Sequence, residues 1–230
     1  MFSVKLSLLC ALTTLLSYAG PKGFEYDGVV VTNINAKGKT QQFTVKRHIP
    51  EVCQKLPINN ELVWTGNYAH KEVPQACKST YVHTTGKLLP MFLHEDISTY
   101  GELEVLAFLK EMQTNKKLLL IDGREEEWFE YRTIPGSINI PFSHFKYPDL
   151  YELDFEHDLE YLGIKINKDE TFDFTHAKTI TIFCNGPWCS QSVWMIESLL
   201  EIGYPPEKMN WYRGGMQDWL SAGMTSTREN

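Results

Sequence analysis

Residues 179–203 read TITIFCNGPWCSQSVWMIESLLEIG: an apolar run rich in β-branched residues, a short loop opening at Cys184, and an amphipathic helical segment. No other stretch constrains the fold as strongly. An apolar run that passes straight into a helix is the pattern of a strand buried on both faces of a parallel sheet. The loop then places a thiol where a strand ends and a helix begins. Unpaired backbone N–H groups and the positive end of a helix dipole meet at such a corner, and both favour a thiolate or persulfide over a neutral thiol. Cys184 is the first candidate for a reacting group.

The rest of the chain from Asp96 onward fits the same architecture. Thr99-Tyr100-Gly101-Glu102 reads as a capping box, followed by a helix to about Gln113 through Leu103, Leu106, Phe108 and Leu109. Leu118 to Ile121 is a continuous apolar run ending in Asp122. A short helix is expected over Glu125 to Tyr131 and a short strand over Ile138 to Ile140, closed by Pro141. Residues 146–175 are acidic and aromatic, a short-helix excursion. Strand 179–183, helix 190–202, strand 209–212 and a final helix from Gly214 to Leu220 complete the pattern. Alternating strands and helices imply a mostly parallel α/β sheet covered on both faces, with ligands at the carboxyl ends of the strands. Asp122 and Cys184 both sit at such ends.

The N-terminal part has a different texture. Lys5, the apolar stretch Leu6 to Leu16 and the small-residue pattern Ser17-Tyr18-Ala19 read as a cleaved signal peptide over residues 1–19. A membrane span needs about 20 apolar residues, so no stable membrane insertion is expected after cleavage. Export to a periplasmic or extracellular compartment is the corresponding expectation. Residues 20–94 form a small β-rich region: Val29 to Ile34 and Gln41 to Val45 flank Lys37-Gly38-Lys39 as a hairpin, and Pro50, Pro57, Pro74 and Pro90 interrupt its remainder. Residues 95–230 form the α/β domain. Once the signal is removed, the cysteines are Cys53, Cys77, Cys184 and Cys189. An even number in an oxidising compartment suggests pairing, and Cys53–Cys77 beside Cys184–Cys189 is the most local of the three connectivities. Two buried free thiols are the other reading of Cys53 and Cys77. The charge of −7 argues against nucleic acid as a partner, and the chain holds no metal-ligand or haem motif.

Several ordered motifs resemble those of a rhodanese domain. They are Asp122-Gly123-Arg124 with the turn Glu125-Glu126-Glu127; Ile134-Pro135-Gly136-Ser137-Ile138-Asn139-Ile140-Pro141; the loop Cys184 to Ser190; and Gly214, Gly215 and Trp219. Together they cover roughly residues 95 to 225. The resemblance implies a rhodanese-like parallel sheet flanked by helices, preceded by the β-rich N-terminal region. It implies a sulfurtransferase that moves a sulfane sulfur from a small donor, such as thiosulfate or polysulfide, to a thiol or cyanide-like acceptor, with no cofactor and no metal. By the same resemblance Cys184 is the nucleophile, and the amides of Asn185, Gly186, Pro187, Trp188, Cys189 and Ser190 form the cradle for its persulfide, save that Pro187 has no N–H to give. Asp122 and Arg124 hold the loop framework as an ion pair.

The sequence departs from the family pattern within that loop. Asn185 and Cys189 stand where an Arg is often found, which reduces the fixed positive charge available to a dianionic donor. Thr133 stands where a His often precedes the Ile-Pro-Gly segment. Trp188 offers an apolar wall suited to a less charged sulfur species or a protein thiol. Phosphatases related to rhodanese end their loop in an Arg that clamps phosphate, and Ser190 holds that position here. Cys189 admits three roles: resolving a Cys184 persulfide, protecting Cys184 as a reversible disulfide, or packing as a small buried residue. A thiol–disulfide redox or sulfur-carrier protein using both cysteines, and a non-catalytic binding module, are the competing functions. His144, His157 and His176 read as surface or hydrogen-bonded residues, the stretch Asp149 to Glu160 as a solvated face, and Phe172, Phe174, Trp194, Trp211 and Tyr212 as core or pocket wall. The turn at Arg213-Gly214-Gly215 comes after a strand and can approach the site.

Overall fold

The computed structural model describes residues 28–35, 37–46 and 88–228. The expected export signal and the Cys53–Cys77 pairing lie outside the described residues.

The apolar runs form the centre of a five-stranded, all-parallel sheet. Its strands are β3 (Ser98–Tyr100), β4 (Leu118–Asp122), β5 (Ile138–Asn139), β8 (Thr179–Phe183) and β9 (Met209–Tyr212), in the order β3-β9-β8-β4-β5. Every residue of β4 and β9 is buried, as expected for strands covered on both sides. Alternation along the strands divides the core in two. Leu119, Ile121, Ile180, Ile182, Met209 and Trp211 face α3 (Phe142–Lys146), α4 (Glu152–Tyr161) and α5 (Gln191–Glu201), meeting Phe142, Phe145, Leu159, Met195 and Leu199. Leu118, Leu120, Phe183 and Tyr212 face the other way, onto α1 (Glu102–Met112) and α6 (Gly215–Ser221) through Val105, Leu106, Leu109, Met216 and Trp219. The remaining helix, α2 (Glu126–Tyr131), is short and buries only Phe129.

Two small antiparallel pairs complete the described residues. The excursion after α4 contains β6 (Lys165–Ile166) paired with β7 (Phe172–Asp173). At the N-terminus β1 (Val29–Ile34) pairs with β2 (Thr40–Val45). The turn between them is held by Asn35, whose side-chain oxygen accepts the N–H groups of Lys37 and Lys39, and by Gly38 at φ 71°. Val29, Val31 and Val45 of this hairpin enter the α1–α6 core cluster. Asn33 accepts a hydrogen bond from Gly136 N, and Thr225 donates one to the Lys46 carbonyl. The hairpin thus shares the hydrophobic core of the α/β domain.

One sequence expectation is corrected. Thr99 does not cap α1; it lies in the edge strand β3 opposite Trp211, and its hydroxyl donates to the Met91 carbonyl at 2.6 Å. The cap is Gly101, whose N–H donates to Glu104 Oε2 at 3.0 Å. A β-branched residue followed by Tyr100 extends readily, so the sheet edge claims Thr99 and shifts the helix start onto the glycine.

Register brings the strand ends into line. Asp122 pairs with Phe183, and Phe183 with Tyr212. The segments beyond them, beginning at Gly123, Cys184 and Arg213, therefore leave the sheet along one edge.

If the hairpin is part of the core, truncating its inward face should destabilise the whole domain. Val31 is 1% exposed and Val30 58%. Val31→Ala is expected to lower unfolding free energy by about 1.5–3 kcal/mol in denaturant titration, whereas Val30→Ala should stay within about 0.5 kcal/mol of wild type.

Candidate active site

The Asp122 and Arg124 side chains, both buried, form a bidentate pair. Arg124 Nε donates to Oδ1 at 2.8 Å and Nη2 to Oδ2 at 2.7 Å. The same guanidinium donates to the Arg132 carbonyl at 2.6 Å and, through Nη1, to Asn185 Oδ1 at 3.1 Å. Thr133 donates to Asp122 Oδ2 at 2.6 Å and contacts Ser137, whose hydroxyl reaches the Ile134 carbonyl. Asn139 caps the carbonyls of Asp122 and Arg124. The ends of β4 and β5 and the loop after β8 are thereby joined by one network of charge-assisted hydrogen bonds.

The loop from Cys184 to Ser190 is fixed from the other side by α6. Met216 N donates to the Cys184 carbonyl at 3.0 Å and Gln217 N to the Asn185 carbonyl at 2.9 Å. These are N–H groups of the first turn of the helix, which have no partner within it. The approach requires a glycine. Gly215 sits at φ 55°, and a Cβ there would lie 2.3 Å from the Cys184 carbonyl oxygen. The Gly-Gly turn, a weak signal in the sequence, is thus a wall of the loop. Gln217 also accepts the Trp188 indole N–H. The chain around Leu89 and Pro90 crosses the loop as well: Leu89 N donates to the Pro187 carbonyl at 2.8 Å, and Arg213 holds the carbonyls of Leu89 and Pro90 at 2.8 and 2.9 Å.

Within the loop Cys189 N donates to Gly186 O at 2.9 Å, a turn that folds Cys189 back over the strand end. Cys184 and Cys189 are both buried and both free thiols. The Cys184 S–H points at the Cys189 carbonyl, 3.1 Å away, and its sulfur lies 3.2 Å from Ser192 Oγ. Ser192 Oγ accepts the Trp211 indole N–H at 3.0 Å, which leaves the serine hydroxyl proton free to turn toward Cys184. Cys189 Sγ is 3.5 Å from Gln191 Oε1.

These surroundings treat two chemically identical thiols differently. Burial pushes the Cys184 thiol well up, and the neighbouring Cys189 raises it further, against a smaller opposing contribution from Ser192. The Cys189 thiol goes the other way, to about 6. Hydrogen bonding from the Cys184 thiol is the largest cause, opposed by burial and aided by backbone N–H groups at Asn185 and Gln191 and by the Arg124 charge. The backbone at Asn185 and Gln191 thus favours the anion of Cys189, while the backbone and hydroxyl of Ser192 favour that of Cys184. The loop is a centre of two interacting sulfurs.

Ser192 and its partner Trp211 are invisible as a pair in the sequence. Ser192 carries no motif, and Trp211 reads there as a wall residue; only their meeting across α5 and β9 gives them a role. Of the histidines, His144 is tied to Asp158 by a 2.7 Å hydrogen bond. Burial would lower its pKa, but the hydrogen bond and charge of Asp158 raise it on balance. His157 and His176 are exposed, and the stretch Asp149 to Glu160 is mostly solvated apart from Asp158 and Leu159. Phe172, Phe174 and Trp211 pack with the first core cluster, Tyr212 with the second, and Trp194 stacks beside Phe142.

A family model described as the rhodanese-like domain matches residues 106–222, about half of the chain. Among solved structures the chain is similar to a rhodanese with anions from E. coli, at 23% identity over 49% of this chain and 99% of that one, with a TM-score of 0.31. It is similar to a single-domain sulfurtransferase from Saccharomyces cerevisiae at 21% identity, over 57% and 95% of the two chains, with a TM-score of 0.38. A thiosulfate sulfurtransferase from Pseudomonas aeruginosa matches at 18% identity over 58% of this chain and 21% of its own length, with a TM-score of 0.40. No curated protein matches the sequence.

Two measurements probe this geometry. Asp122→Ala leaves Arg124 buried without its counter-charge and should cost about 3–5 kcal/mol in denaturant titration. Ultraviolet titration of the reduced protein should develop one thiolate with a midpoint of about 6. That signal should vanish in Cys189→Ser, and in Cys184→Ala its midpoint should move up, because the donor that lowers it is gone.

Proposed function

The chain belongs to the rhodanese-like domain family, and on that footing we propose that it is a sulfurtransferase whose Cys184 carries sulfane sulfur as a persulfide. The Cys184 thiolate attacks the terminal sulfur of a small donor. A new Sγ–S bond forms, the donor's S–S bond breaks, and the remainder of the donor leaves with the electron pair. A thiophilic acceptor then removes the outer sulfur. The observation that carries the reading is the position of Cys184: the first residue beyond β8, at the aligned carboxyl edge of the sheet, with its sulfur against the Ser192 hydroxyl. Ser192, which Trp211 orients from behind, offsets part of the burial that disfavours the thiolate at this sulfur.

The donor reading follows from charge. Arg124 and Arg213 are the cations beside the loop; Arg124 is engaged by Asp122, Asn185 and the Arg132 carbonyl, and Arg213 by the carbonyls of Leu89 and Pro90. A dianion such as thiosulfate would find no dedicated clamp among the described residues, so a persulfide or polysulfide chain of lower charge density fits better, with half-buried Trp188 as its apolar wall. The proposal extends to location: the signal-like residues 1–19 support a periplasmic or extracellular compartment for this chemistry.

The tryptic segment 179–208 contains Cys184 and Cys189 and no other cysteine, so the chemistry can be read on one peptide. The reduced Cys189→Ser protein, treated with inorganic polysulfide or thiosulfate, should gain one sulfur atom on Cys184. Loading should accelerate as pH rises, because burial pushes the Cys184 thiol up. Absence of added sulfur from both donors would reject the reading.

A further inference from the structure

Resting on the persulfide reading of Cys184, we propose that the loop is a two-cysteine centre in which Cys189 resolves that persulfide, releasing the sulfane sulfur as hydrosulfide and closing a Cys184–Cys189 disulfide. The Cys189 thiolate attacks Sγ of Cys184, the inner sulfur of the persulfide. The Sγ–Sγ bond forms, and the bond from Cys184 Sγ to the outer sulfur breaks. The outer sulfur leaves with the electron pair and the proton it carried, as HS⁻. It is reduced by two electrons, and the two cysteines together lose two. Two equivalents of a low-mass thiol then reopen the disulfide and are themselves oxidised to their disulfide.

Three observations point to Cys189 for this role. The first is proximity by construction: the Cys189 N–H to Gly186 O turn curls the loop so that the Cys184 sulfur lies 3.1 Å from the Cys189 carbonyl, and each thiol alters the ionisation of the other. A disulfide needs Cα atoms within about 7 Å, and the turn draws the two residues toward each other rather than apart.

The second is the surroundings of the Cys189 sulfur. A cysteine that merely fills space sits among apolar atoms and holds its proton tightly. The Cys189 thiol is instead drawn down to about 6, first by hydrogen bonding from the Cys184 thiol and then, against burial, by the backbone at Asn185 and Gln191 and the charge of Arg124. Those are the fittings of a sulfur kept anionic, hence nucleophilic. Arg124 is itself pinned by Asp122 and bonded to Asn185, so the field is built into the framework.

The third is access. Cys184 is 2% exposed and Cys189 6%. The loop that carries both cysteines is tied down by the Trp188–Gln217 pair and by the Leu89 segment on Pro187. A bulky acceptor thiol has to get past this covering to reach a buried sulfur, whereas Cys189 belongs to the same loop and its carbonyl already lies against the Cys184 sulfur. Intramolecular attack then has the advantage of a preorganised neighbour.

Treatment of the reduced full-length protein with inorganic polysulfide, removal of excess reagent and acid quenching separate the two claims. In wild type the 179–208 peptide should be two hydrogens lighter and carry no extra sulfur, with one equivalent of hydrosulfide trapped in solution. Dithiothreitol should restore the dithiol peptide. In Cys189→Ser and in Cys189→Ala the extra sulfur should stay on Cys184, and hydrosulfide release without added thiol should fall by about tenfold or more. If wild type retains the persulfide with Cys189 free, or if the Cys189 variants release hydrosulfide at the wild-type rate, the resolving role is overturned while the sulfurtransferase reading stands. If the Cys189 variants take up no sulfur on Cys184, both fall together.

Discussion

The buried Asp122–Arg124 pair is the constraint on which the geometry of the site depends. Its net contribution to stability is modest, since the desolvation of two charges consumes much of their attraction. Its effect is positional. A bidentate guanidinium–carboxylate pair admits one relative orientation, and Arg124 extends it to two further acceptors: the Arg132 carbonyl and Asn185 in the loop after β8. Asp122 in turn is fixed by Thr133, and the backbone around it by Asn139. The register of β4 on β8 then places Cys184 one step beyond the strand end, where the Arg124 network and the α6 N-terminus reach it from opposite sides.

That arrangement sorts the polar groups of the loop by sign. The carbonyls of Cys184 and Asn185 turn toward α6 and are met by the amides of Met216 and Gln217. With those carbonyls drawn off, the backbone at Asn185 and Gln191 favours the anionic form of Cys189. Gly215 makes the division possible, because any side chain there would force α6 away from the Cys184 carbonyl. A glycine shortly after β9, far along the chain from the cysteine, is thus part of the same electrostatic device.

Much of this is legible in the sequence for a physical reason. Strands buried on both faces must be continuously apolar, so Leu118 to Ile121 and Thr179 to Phe183 announce themselves, and the residues immediately after them mark the functional edge. The strand–loop–helix at Cys184 and the Asp122–Arg124 spacing are local patterns of the same kind. What escapes is non-local. Ser192 becomes a partner of Cys184 only because Trp211, from a strand formed much later, holds its hydroxyl. The docking of Val29, Val31 and Val45 depends on where α1 and α6 leave their apolar surfaces, not on anything in the hairpin itself. The local pattern at Thr99 suits a cap and a strand equally, and the choice belongs to β9.

The same distinction governs the two cysteines. Sequence position makes Cys184 the candidate reacting thiol: it stands at the strand end, before a helix. Environment makes Cys189 the acidic one: hydrogen bonding from the Cys184 thiol, then the backbone at Asn185 and Gln191 and the Arg124 charge, lower it, while burial raises Cys184 beside Ser192. Because the two sulfurs interact, a proton lost from one strengthens the hold of the other on its own, and they titrate as a pair. A centre that keeps one sulfur as thiol and its neighbour as thiolate suits bonds between sulfurs. In such chemistry one partner must accept a sulfur atom, and the other must stand ready to displace it.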